Sequence, residues 1–137
     1  MALQSIPYGL TTLASRQDFQ TTLDRLIRAL EDKGVTVFAV IDHAAGAQAA
    51  GLALGPTTVV VFGDPRAGTP LMQARQSVGI DLPLKMLVWR DAAGATQVSY
   101  NDPAWIARRH GLDPDAQPGV AKMSAALAMF AAAAAGD

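Results

Sequence analysis

The 137 residues suit a single domain, and a chain half hydrophobic with only 17% charged residues is not a disordered one. A net charge of −1 offers no excess of Lys and Arg to grip a phosphate backbone, so no nucleic-acid partner is expected; the longest basic run is Arg108-Arg109-His110. The absence of cysteine removes disulfides, thiolate zinc sites and thiol nucleophiles together.

The opening residues, Met1 to Thr12, lack the basic start and apolar run of a secretory signal. The greasiest stretch, Met123 to Ala135, is shorter than the roughly 20 residues that span a bilayer. A cytoplasmic protein with no membrane partner is the expectation.

Tyr8 to Leu13 reads as a first strand. Ser15 stands where an N-cap belongs, with Asp18 three residues on as in a capping box. Phe19, Leu23, Leu26, Ile27 and Leu30 then recur at helical spacing, and Gly34 closes that helix as a left-handed cap. Val35 to Ile41 is almost wholly apolar and predicts a buried strand. An alanine-rich helix over Ala44 to Leu52 follows, ended by Gly55-Pro56. Thr57 to Phe62 predicts a second buried strand, and Gly63-Asp64-Pro65 turns the chain out of it.

Thr69-Pro70 reads as N-cap and first residue of a helix that ends near Gly79. Leu84 to Arg90 and Ala95 to Tyr100 form a hairpin across Asp91-Ala92-Ala93-Gly94, with Thr96, Val98 and Tyr100 on one face. Asp102-Pro103 opens a helix through Trp105 and Ile106 that Gly111 closes. A loop from Asp113 to Gly119 leads to a last helix, Val120 to Ala135, showing Met123, Leu127 and Phe130. One secure crossover followed by strands and then helices favours α+β, an antiparallel sheet with helices on one face.

Four residues form the main candidate ligand site. Asp42-His43 follows a strand directly, where polar groups emerge from a core into a cleft. Lys85 interrupts an apolar strand, and Tyr100 lies on its hairpin partner; Asp42, His43, Lys85 and Tyr100 together would suit a small anionic ligand. His43 is also the residue to hold a haem or a metal, if either is bound, or to act as a general base. The loop carrying Gly63, Arg66, Gly68 and Thr69 before a helix is a weaker candidate for an anion. It matches neither a Walker A loop nor a dinucleotide fingerprint, and no nucleophile-elbow or zinc-protease motif occurs.

Several linked stretches resemble the prokaryotic family called domain of unknown function 302 (DUF302). They are Val37-Phe38-Ala39-Val40-Ile41-Asp42-His43, Val60-Val61-Phe62-Gly63-Asp64-Pro65, Gly68-Thr69-Pro70-Leu71-Met72 and Leu82-Pro83-Leu84-Lys85-Met86-Leu87-Val88-Trp89, followed by Tyr100 and Asp102-Pro103. Asp64 stands where the family pattern usually has Asn. The resemblance implies a TATA-binding-protein-like β-α-β(4)-α fold with a curved antiparallel sheet, and a homodimer; it implies no activity. The functional expectation is a small-ligand-binding homodimer with a polar pocket near His43. The alternatives are a haem, metal or redox protein using His43, and an interaction module working through the alanine-rich C-terminal helix.

Overall fold

A computed structural model describes the backbone of residues 3–5 and 8–137, with side chains from residue 8 onward. The strands are β1 (Leu3–Ser5), β2 (Leu10–Ala14), β3 (Thr36–Asp42), β4 (Thr57–Gly63), β5 (Leu84–Arg90) and β6 (Thr96–Asn101). The helices are α1 (Phe19–Asp32), α2 (His43–Ala49), α3 (Pro65–Ala74), α4 (Pro103–Arg109) and α5 (Pro118–Ala135). Every strand pairing is antiparallel, in the spatial order β1-β2-β6-β5-β4-β3. This is the expected α+β fold: one strand, a helix, four strands and closing helices, with β1 added at an edge.

Alternation builds the core. Along β4 the residues Thr58, Val60 and Phe62 are buried, and along β5 and β6 so are Met86, Val88, Thr96, Val98 and Tyr100. Leu23, Leu26 and Leu30 of α1 and Leu127, Phe130 and Ala134 of α5 cover that face. The Phe130 ring meets Phe62 edge-on at 6.0 Å between centroids. By length and composition α5 is apolar enough to cross a membrane, but Val120, Met123, Leu127, Phe130 and Ala131 are buried within the domain. The helix thus has one face in the core and another, with Lys122, Ala125, Met129 and Ala133, exposed.

Three local expectations are corrected. The cap of α1 is Asp18, whose carboxylate accepts the Thr21 N–H at 2.8 Å; the Ser15 hydroxyl instead accepts the Gln17 N–H and meets the Thr22 hydroxyl at 2.7 Å. The helix expected from Thr69 begins at Pro65, capped by Asp64, and Thr69-Pro70 lies inside it. Above all, β3 is not a buried strand. It is the outermost of the sheet, pairing with β4 alone, and Phe38, Val40 and Ile41 are 54%, 48% and 46% exposed. An apolar run reports what a strand would bury, not whether this chain supplies the cover.

Candidate functional site

The helices α1 and α5 pack on one face of the sheet, and the other face carries a hollow among the described residues. Pleating sends Lys85, Leu87 and Trp89 of β5 and Gln97, Ser99 and Asn101 of β6 to that side, opposite the buried set. The Trp89 indole donates to Ser99 Oγ at 2.9 Å, and Ser99 Oγ lies 2.8 Å from Thr12 Oγ1, so the ring is fixed across three strands. Beside it is a hollow of about 400 Å³, lined among others by Leu10, His43, Val59, Lys85, Leu87 and Trp89. His43 and Lys85 thus border one hollow. They stand towards opposite ends of it: Asp42, next to His43, pairs with Thr58, and Lys85 pairs with Val61, three residues along β4 and on the order of 10 Å away. The Lys85 ammonium makes a long hydrogen bond, 3.4 Å, to the Asp81 carbonyl.

The other two candidates are placed differently. Tyr100 borders the hollow, but its register with Met86 and Thr11 turns the phenol to the helix side, where it is 7% exposed. Burial, and then the Asp102 carboxylate, hold that phenol above its ordinary pKa. Asp42 caps α2 by accepting the Ala45 N–H at 2.9 Å, and it borders a separate hollow with Gln48 and Leu54. Of the four residues expected from the sequence, His43, Lys85 and Tyr100 border one hollow, Tyr100 from its buried side, and Asp42 borders another. Among the described residues no three His, Asp or Glu side chains gather as metal ligands, so His43 offers a single imidazole.

The 63–69 loop is also differently made. Asp64 Oδ1 accepts the Arg66 N–H at 2.9 Å, and both carboxylate oxygens take the Arg66 guanidinium, at 3.1 and 2.9 Å. These bonds hold the Asp64 carboxyl below its ordinary range and the guanidinium above its own. The helix end and its Arg already answer to an anion of the chain itself. Gly63, Gly68 and Thr69 instead line an apolar cavity with Phe38, Met72 and Leu82.

One cluster escaped the sequence. The His110 imidazole sits between Ser77 Oγ, 2.7 Å from Nδ1, and Asp81 Oδ2, 2.6 Å from Nε2; Arg109 donates to the other Asp81 oxygen at 2.7 Å. Asp81 therefore ties the C-terminal end of α4 to the 3₁₀ turn at Gln76–Ile80, with the Arg109 cation in the last helical turn, where a positive charge is favoured. Arg108-Arg109-His110 was the only signal, and nothing in it points to Asp81.

A solved structure, the uncharacterised conserved protein DUF302 from Bacillus stearothermophilus, superposes with a TM-score of 0.81 over 92% of this chain and 98% of its own, at 20% identity. That likeness concerns the fold. The chain is also 39% identical over 132 residues to proteins of Brucella suis and Brucella abortus named fluoride-specific ion channel FluC 1. The match takes in 96% of this chain but only 52% and 49% of those proteins, so the chain spans about half the length of the curated relatives it matches. The profile described as "Domain of unknown function DUF302" matches residues 11–130, and the chain belongs to that family.

Proposed function

We propose that this domain binds a small, flat anionic ligand in the hollow on the uncovered sheet face. The observation that carries the reading is the meeting of Lys85, His43 and a fixed Trp89 on one open apolar surface. Lys85 supplies a charge for a carboxylate, Leu87 and the indole supply an apolar bed, and His43 supplies a hydrogen-bonding group at the far end. The channel name belongs to proteins of which this chain covers about half, and α5 has its buried face in the domain's own core.

The test is a titration with benzoate-type aromatic carboxylates, read by tryptophan fluorescence and thermal shift. Lys85→Met and His43→Ala are expected to melt near the parent protein and to lose the response. If both variants bind as the parent does, or if no such carboxylate binds the parent, the site is not this hollow.

A second copy of the chain is the partner we propose, paired through the β3 edge. Phe38, Val40 and Ile41 on β3 and Leu52 and Leu54 just after α2 are all exposed. An exposed apolar edge strand is a template for another strand, and a homodimer would cover it.

A further inference from the structure

We propose a second ligand site, independent of the sheet-face hollow: the apolar cavity system beneath α3 takes the hydrocarbon tail of a single-chain carboxylate, with Lys33 and Lys122 receiving its head.

Three glycines stand in the cavity wall. A hollow of about 240 Å³ lies against α3, with Gly63, Gly68 and Gly79 in its wall beside Phe38, Met72 and Leu82. None of these three glycines has the positive φ that demands glycine. Gly68 stands inside α3, where glycine is less favourable than alanine. A Cβ at Gly68 would come 3.2 Å from Leu82 Cδ1, at Gly79 3.3 Å from Met72 Sδ, and at Gly63 3.4 Å from the Phe38 ring. At Gly68 and Gly79 glycine lets the flexible ends of Leu82 and Met72 approach closely, whereas at Gly63 a side chain would meet ordinary contacts and reach into the space. Two thioethers line it, Met72 and Met123, and such unbranched chains adapt to a tail of variable shape.

The space continues past α3. A groove of about 630 Å³ on the other side of that helix shares Gly63, Asp64, Ala67, Leu84 and Met123 with the first hollow and runs between α3 and α5. Its lining is mainly apolar, and its charged members divide into two groups. Asp64 and Arg66 neutralise each other. Lys33, at the end of α1, and Lys122, in the first turns of α5, have no carboxylate partner among the described residues. An apolar bore with two free ammonium groups at its wider end matches an amphiphile with one tail and one negative head.

The experiment is calorimetric titration of the full chain with decanoate and with decanol, below their aggregation concentrations. One decanoate per chain is expected to bind, and decanol about tenfold more weakly. Gly63→Leu, whose Cβ meets only ordinary contacts and whose branch fills the cavity, is expected to abolish binding of both while keeping a cooperative melt. Lys33→Glu with Lys122→Glu, both at the surface, is expected to weaken decanoate about tenfold and leave decanol unchanged. No saturable binding of decanoate overturns the site, as does binding untouched by Gly63→Leu. Should Gly63→Leu fail to fold, the lysine pair decides: equal loss of decanoate and decanol, or no loss of either, sinks the assignment. Lys85→Met, at the other site, is expected to leave decanoate binding intact.

Discussion

Gly9 shows how much a single position can carry. Its φ is +80°, and a Cβ there would lie 2.4 Å from Trp105 Cγ, against the body of the ring. The same turn receives the Asp102 N–H on the Gly9 carbonyl at 2.7 Å, so the start of β2 and the start of α4 share one close contact. Gly51 has nearly the same φ, +78°, with nothing within 4 Å of the position a Cβ would take. Gly9→Ala is therefore expected to cost roughly 2–4 kcal/mol in urea unfolding, and Gly51→Ala about 1 kcal/mol. Equal losses would show that Trp105 moves aside freely. Of the candidate site, His43 and Lys85 were legible as polar residues in apolar surroundings. Tyr100 was legible in the same way, its alternation with Thr96 and Val98 placing it on the buried face, whereas Asp42 was not, because capping α2 commits its carboxylate to the Ala45 N–H.

At the level of elements, the sequence holds two equivalent helix starts five residues apart, Asp64-Pro65 and Thr69-Pro70. Either pair satisfies the local rule of a side-chain acceptor before a proline. The fold uses the first, because Asp64 both accepts the Arg66 N–H and holds the Arg66 guanidinium, and the longer helix then carries Leu71 into the second core cluster with Ile106 and Val120. Asp64→Ala, which removes the cap of α3, is expected to lower the melting temperature, and Thr69→Ala, at an exposed position within the helix, to leave it close to that of the parent. Thermal denaturation of the two variants side by side measures this; the reverse order would mean that α3 begins at Pro70 in solution.

For the whole molecule, the question is what covers β3. In the homodimer proposed above, Val40→Glu combined with Ile41→Glu is expected to yield a folded monomer in sedimentation velocity, while the parent sediments as a dimer at micromolar concentration. A monomeric parent, or a double variant that still dimerises, would remove the second copy from that edge. The sequence by itself determined the α+β class, the apolar stripe and C-terminal end of α1, the β5–β6 hairpin and the apolar character of β3, because these follow from local periodicity and turn chemistry. Only the tertiary structure decided that β3 lies at an edge, that His43, Lys85 and Tyr100 border one hollow while Asp42 borders another, and that Gly63, Gly68 and Gly79 line one cavity. Strand order and side-chain facing are set by which distant segments pair, and the pattern along a single strand is the same whichever neighbour it finds.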